Sequence, residues 1–205
     1  MNITKDFKSN LRISVLTALI FAMVISMVPF EAACEDLREN VLRLHIIANS
    51  DSKEDQALKI KVRNRILEES LDCFSECNNV EEAIITADIN LNILKNIARE
   101  VVKKEGFDYE VDVSIGNSDF DTRVYDEFTL PAGNYKSLIV KLGNANGKNW
   151  WCVIFPSVCV PAATDSSLSE SVGKEGVEIA ENAPKYEMKF KIVEWYEQIK
   201  KMILD

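Results

Sequence analysis

The side chains through which this chain could do chemistry are few. His45 is the single histidine. The chain has no Gly-x-Ser-x-Gly sequence that would place a nucleophilic serine beside it. A metal-dependent hydrolase usually binds its metal through several histidines, and this chain would offer one histidine and carboxylates. Asp51, Glu54 and Asp55 lie close together, but N-capping of a helix accounts for them. No catalytic set is selected, so we expect a non-enzymatic protein without a metal, a cofactor or a small-molecule substrate.

The five cysteines offer one short-range disulfide and one ambiguous pair. In an exported protein the closely spaced Cys152 and Cys159 favour a disulfide, which would contribute about 2–3 kcal/mol in the loop-entropy model. Cys73 and Cys77 have a spacing with poor disulfide geometry on a helix. Either the helix has ended there, or the two form no disulfide with each other. Neither spacing resembles a common zinc motif, so no metal site is expected.

Trp150 and Trp151 are the most unusual pair of neighbours in the chain. Adjacent residues of a strand face opposite sides, so one ring can be buried in the core while the other is exposed. Tryptophan is enriched at the energetic centres of protein interfaces. Burial of both rings under the last helix is the alternative.

The N-terminal segment predicts export. Three basic residues precede an uncharged run over residues 13–30, and an acidic stretch follows it. This charge order favours transfer of the following domain across the cytoplasmic membrane. The run spans roughly 27 Å as a helix, just enough to cross a bilayer core. Residues 1–33 are therefore either a cleaved signal peptide or a retained membrane anchor, and both interpretations stay open.

The remaining residues, 34–205, form an acidic domain. They carry 21 basic and 31 acidic side chains, a net charge of −10. Such a surface repels phosphate backbones, so nucleic acid is excluded as a partner.

The hydrophobic pattern of this domain alternates between period two and period three to four. Alternation predicts strands over 41–48, 107–115, 135–142 and 150–155, the last two joined as a β-hairpin through a Gly/Asn-rich turn. Helical periodicity predicts helices from about 53 to 71, from 80 to about 105, and from 186 to 204. Residues 161–183 have no strong pattern and are predicted to be a mobile loop.

Local signals sharpen these predictions. Ser52 is expected to cap the first of the three helices, and Gly106 to terminate the second. The last helix is expected to bury one stripe of side chains: Met188, Ile192, Trp195, Ile199 and Ile203. The fold class is α+β: one domain with a mostly antiparallel sheet packed by three helices, preceded by the N-terminal signal or anchor helix.

Three segments resemble the stage II sporulation protein R family in the same order. They are residues 42–52 (LRLHIIANSDS) with 54–59 and 61–63, residues 130–135 (LPAGNY), and residues 147–156 (GKNWWCVIFP) followed by Cys159. Ser157 departs from a second proline expected at that position.

The resemblance implies a signal in endospore formation. Family members are exported from the forespore into the space between two membranes, where they activate a membrane-embedded aspartic peptidase that processes pro-sigma-E in the mother cell. The partners expected are that peptidase and, if the N-terminus is retained, the cytoplasmic membrane through residues 13–30. The family supplies no catalytic residues.

Residues at the first strand–helix junction and the tryptophan pair are our candidates for the partner-binding surface: Arg43, His45, Asn49, Ser50, Asp51, Trp150 and Trp151. Loop residues on a rigid scaffold favour recognition. An extracytoplasmic protein that binds or hydrolyses peptidoglycan is the alternative function, since a pair of acids could face a cleft.

Overall fold

The computed structural model describes residues 3–125, 128–156 and 172–204. Its helices are α1 (Ile3–Glu39), α2 (Lys53–Phe74), α3 (Val80–Ile89), α4 (Leu91–Lys104), α5 (Lys174–Glu181) and α6 (Ala183–Leu204). Its strands are β1 (Leu42–Ile47), β2 (Val111–Phe120), β3 (Arg123–Val124), β4 (Thr129–Leu130), β5 (Gly133–Leu142) and β6 (Asn149–Phe155). The predicted α+β class with an apolar N-terminal helix is confirmed.

A four-stranded sheet in the order β2-β5-β1-β6 forms the centre of the domain. Two of its three strand pairs are antiparallel, and β1 runs parallel to β5. The predicted hairpin between residues 135–142 and 150–155 is therefore wrong, because β1 lies between β5 and β6. Residues 42–46 are all buried, and such a strand is most stable with a partner on each edge. The β5–β6 connection passes around the end of β1, where Gly147 N–H donates to the Ala48 carbonyl at 2.9 Å.

One face of the sheet, the helix face, is the hydrophobic core. Strand positions such as Leu44, Ile46 and Val140 pack there with the buried stripes of α2, α3 and α4. Ser52 caps α2 through a hydrogen bond from Asp55 N–H, as predicted. The second predicted helix is interrupted at Asn90, whose backbone N–H and side-chain Nδ2 both donate to the Thr86 carbonyl, at 3.1 and 2.8 Å.

Helix α1 joins the apolar N-terminus to the domain without a break. Its apolar segment is long enough to cross a membrane by length and composition, and is almost wholly exposed. From Phe30 onward one side of the helix is buried, and the predicted boundary between residues 33 and 34 falls inside the helix. Arg38 then donates to the Ala132 carbonyl at 3.1 Å. A side chain at Gly133 (φ +146°) would meet Arg38, so the turn that precedes β5 can close only with glycine.

Two predictions for the C-terminal part are wrong. Residues 157–171 lie outside the described residues, but residues 174–181 of the predicted loop form α5. The segment orders because it packs on α1: Gly173 N–H donates to the Asp36 carboxylate at 2.8 Å, and Ile179 and Ala180 are buried. In α6 the stripe expected to be buried is mostly exposed, and Phe190 and Val193 are the buried positions.

Candidate functional site

The opposite face of the sheet, called here the second face, carries most of the candidate residues. Strand alternation and register place there Arg43, His45 and Ile47 of β1; Ser114, Gly116, Ser118 and Phe120 of β2; Tyr135, Ser137, Ile139 and Lys141 of β5; and Asn149, Trp151 and Val153 of β6. One end of this face is closed by aromatic rings. The other, the open end, is half-buried or exposed.

Arg43 occupies the closed end and is fully buried. Its guanidinium carbon lies 3.9 Å from the Phe120 ring centroid and 4.8 Å from that of Tyr135. Nε donates to the Cys152 carbonyl at 3.0 Å and Nη2 to the Tyr125 hydroxyl at 2.8 Å. Such desolvated cation–π contacts are worth about 2 kcal/mol each. Arg43 cannot touch a partner directly, and its role is to hold the aromatic rings in position.

His45 lies at the centre of the second face. Its ring stacks on Trp151 with centroids 3.8 Å apart, and its nitrogens contact Ser118 Oγ and Asn149 Oδ1, both at 3.1 Å. Burial lowers the pKa of His45. The hydrogen bond to Asn149 opposes this change, and the neighbouring charge of Lys141 lowers the pKa further. The imidazole is therefore neutral near pH 7, and it fixes the angle at which Trp151 is presented.

The contact between His45 and Ser118 is one that sequence reasoning missed. A serine beside an imidazole is the first requirement of nucleophilic catalysis. Ser118, however, is only 8 % exposed and lies inside β2, opposite Tyr135 of β5. The geometry favours a positioning role for this pair.

The open end is the part of the second face that a partner can reach. Ile47, Ile139 and Trp151 are half-buried there, and Lys141 and Asn149 are exposed around them. A small apolar and aromatic centre with a polar rim is the usual composition of a recognition surface. Ile139 was not among the sequence candidates, although the alternation of its strand was visible.

The β1–α2 junction lies directly beyond this open end. Asn49 Nδ2 and Ser50 Oγ both donate to Asp55, at 2.9 and 2.6 Å, and Tyr109 donates to its other oxygen at 2.9 Å. Burial alone would raise the pKa of Asp55, but the hydrogen bonds from Ser50, Asn49 and Tyr109 outweigh it and hold the pKa below its ordinary value. Asn49 and Ser50 are thus committed to a buried carboxylate.

Asp51 is the most exposed candidate of the junction. Its Oδ1 accepts a hydrogen bond from the backbone N–H of Lys148 at 2.7 Å. Buried Lys59 donates to the Lys148 carbonyl at 2.8 Å. The pKa of Lys59 is lowered by burial, with Asp51 opposing that change. The β5–β6 connection is therefore tied to α2, and the free carboxylate oxygen of Asp51 is available to a partner.

Trp150 and Trp151 lie on opposite sides of the sheet, as alternation predicts. Trp150 packs on the helix face, with the Arg63 guanidinium carbon 4.3 Å from its ring. Both tryptophans are half-buried, and Trp150 lies against α2 rather than under the last helix. Trp150 is therefore separated from the other candidates by the thickness of the sheet.

The cysteines give no metal site within residues 3–125, 128–156 and 172–204. Cys152 is buried, and Cys159 lies outside the described residues, so their disulfide stays a prediction. Cys77 follows the end of α2, and its Sγ lies 3.4 Å from the Thr86 hydroxyl.

Comparison with known proteins matches the same part of the chain. A family model described as stage II sporulation protein R matches residues 38–165. The stage II sporulation protein R of Bacillus subtilis (strain 168) is 36% identical over 137 residues, which is 67% of this chain and 60% of that protein. The match thus spans less than two thirds of the curated relative. No solved structure matches the chain.

Proposed function

Because the chain belongs to the stage II sporulation protein R family, we propose that it is an exported signal of endospore formation that activates the membrane-embedded aspartic peptidase processing pro-sigma-E in the mother cell. The observation that carries the proposal is the family match over residues 38–165, which includes the whole sheet and the β1–α2 junction. The signal acts by contact with the peptidase and not by chemistry of its own.

Export from the forespore into the space between the two membranes is the first part of this proposal. It is supported by α1, whose apolar segment is exposed and is preceded by basic residues. The positive-inside tendency keeps those basic residues in the cytoplasm and transfers the domain. The burial of Phe30, Ala33 and Cys34 against the domain favours a retained anchor, because a cut after residue 33 would remove part of that cluster.

The open end of the second face and the adjoining Asp51 form the proposed contact surface. Trp151, Ile139 and Ile47 supply an apolar centre that remains half-exposed, and Asp51 supplies a charge at its edge. Arg43 and His45 support this surface from beneath through their ring contacts. Anchors that are held rigidly lose little conformational entropy on binding, which favours them as recognition residues.

Co-production of this protein with the peptidase and pro-sigma-E in a non-sporulating host tests the proposal, with processed sigma-E as the readout. Wild-type protein should give processing. Trp151→Ala and Ile139→Glu should reduce it by about ten-fold or more, because each alters a central interface residue.

A matched control is Ile89→Glu, which places the same charge on an isoleucine that is 75% exposed at the end of α3. It should process normally. Normal processing by Ile139→Glu at wild-type protein levels would remove the open end from the proposed surface, and absence of processing by the wild type would overturn the proposed activation.

One observation favours a second candidate function, a peptidoglycan hydrolase, namely the 3.1 Å contact between Ser118 Oγ and His45 Nδ1. A hydrolase should release fragments from purified peptidoglycan when the full chain is added. The Ser118→Ala variant should not release them. Under our proposal the wild type releases no fragments. Ser118→Ala should support pro-sigma-E processing within about two-fold of wild type, since the hydroxyl only positions the His45 ring.

A further inference from the structure

Helix α6 exposes a stripe of large apolar side chains along its whole length. Met188, Trp195, Ile199, Met202 and Ile203 are between 56% and 81% exposed. The first four follow one another at intervals of seven, four and three residues, and Ile203 is next to Met202, so all five share one side of the helix. An apolar stripe of this length is typical of a helix that has a covering surface.

The opposite side of α6 is already packed. Phe190 and Val193 are buried against α1, and the Phe190 ring lies edge-on to Phe30 with centroids 5.2 Å apart. The exposed stripe is therefore a second apolar face, and within the described residues it has no intramolecular cover.

The position of α6 along α1 indicates what that cover is. Lys189 Nζ donates to the backbone carbonyl of Ser26 at 3.1 Å and lies 5.5 Å from the centre of the Phe30 ring. Ser26 belongs to the last turns of the apolar run over residues 13–30. A helix bonded to that level of a membrane-crossing segment lies near the boundary between the headgroups and the acyl chains.

The composition of α6 fits that depth. Trp195 and Tyr196 are exposed, and these two residue types concentrate at membrane–water interfaces. The helix carries five lysines and three glutamates, a net charge of +2 in a chain whose net charge is −9. Lysines beside an apolar stripe can extend their ammonium groups to the headgroups while their stems stay in the apolar layer.

We propose that α6 is an interfacial helix, which lies on the outer surface of the same membrane that α1 crosses and buries its exposed stripe at the boundary between headgroups and acyl chains. The inference rests on the export part of the proposed function, which puts α1 in a bilayer, and not on activation of the peptidase. It gives the domain a second membrane contact beside α1 and holds it close to the bilayer.

Tryptophan fluorescence of the full chain, reconstituted in phosphatidylethanolamine–phosphatidylglycerol vesicles, tests this inference. Subtracting the spectrum of Trp195→Phe from that of the wild type isolates the Trp195 signal, and Trp150 and Trp151 remain as internal controls. Lipids brominated near the headgroup end of their acyl chains should quench the Trp195 signal at least about two-fold more than the control signal, and aqueous iodide should quench it weakly.

Three results would overturn the inference. Strong iodide quenching of Trp195 without quenching by the brominated lipids would leave the stripe in water. Protection from both quenchers, together with cross-linking between chains, would mean that a second copy covers it. Failure of the full chain to float with the vesicles would remove α1 from the bilayer and contradict the export part as well, whereas failure of the quenching test alone leaves the proposed function intact.

Discussion

The two faces of the sheet are built on different principles. The helix face is filled by apolar side chains such as Leu44 and Val140, and three helices close it. The second face buries a guanidinium and an imidazole, each of which contacts an aromatic ring and makes two polar contacts, and it stays partly open around Trp151. Among the described residues, Arg43 Nη1 is buried there with no hydrogen-bond partner. Burial of polar groups contributes less stability than apolar packing does. The difference indicates that the helix face contributes most of the stability, and it agrees with the contact surface that we propose on the second face.

Two neighbouring isoleucines of β1 distinguish the contributions of the two faces to stability. Ile46 is fully buried on the helix face and Ile47 is half-buried on the second face. Ile46→Ala should lower the free energy of unfolding by about 2–5 kcal/mol, and Ile47→Ala by about 1 kcal/mol or less. Urea unfolding of the full chain in mild detergent measures both. Equal losses would mean that the two faces are not distinct.

The next largest effect is expected at the junction beside the open end. Asp55→Asn removes a carboxylate that accepts hydrogen bonds from Asn49, Ser50 and Tyr109, so it should cost about 2 kcal/mol. Exposed Asp51→Asn, which keeps an acceptor for the Lys148 N–H, is the matched control and should cost less than about 1 kcal/mol. An Asp55→Asn variant with the wild-type free energy of unfolding would show that the hydrogen-bond network does not stabilise the junction.

Asp55 also predicts a pH dependence of stability. Its folded pKa is held below the ordinary value, so its contribution is present above the unfolded pKa of about 4 and is lost as the pH falls through the folded pKa. The wild type should therefore lose stability over that acid range, whereas Asp55→Asn should lose less. The measurement is the unfolding midpoint of each protein at a series of pH values. If the midpoints of the two proteins fall in parallel, Asp55 is not the source of the acid dependence.

The smallest predicted effect concerns His45. Burial lowers its folded pKa, so the unfolded chain takes up a proton first as the pH falls below about 6.5. Stability should then decline until the folded pKa is reached. His45→Gln should lack this decline. A wild-type protein that becomes more stable over the same range would mean that His45 is charged in the fold.

Locally encoded features of the fold could be predicted from the sequence. The alternation of β1, the Ser52 cap and the glycine that ends α4 are confirmed, because each depends on neighbours in the chain. The position of β1 between β5 and β6 could not be predicted, because the glycine-rich turn between those two strands also fits a hairpin. Helix α5 was missed because its order comes from contact with α1.

The candidate site was predictable only in part. The sequence singled out His45 and Trp151, which the fold stacks together, but it could not pair either of them with Ser118 or Ile139. Those residues come from β2 and β5, and register between distant strands leaves no mark in a single sequence. The same limit explains why the exposure of the α6 stripe was not predicted. Its apolar periodicity is equally compatible with burial in protein and with contact with lipid.

Site-specific photo-cross-linking detects the proposed contact between the open end and the peptidase. A photoreactive p-benzoylphenylalanine replaces Ile139 in the co-production host, and a second chain carries it in place of Ile89 on the far side of the domain. We predict a covalent product with the peptidase from position 139 and none from position 89. Cross-linking from position 89 alone, in cells where pro-sigma-E is processed, would contradict the account.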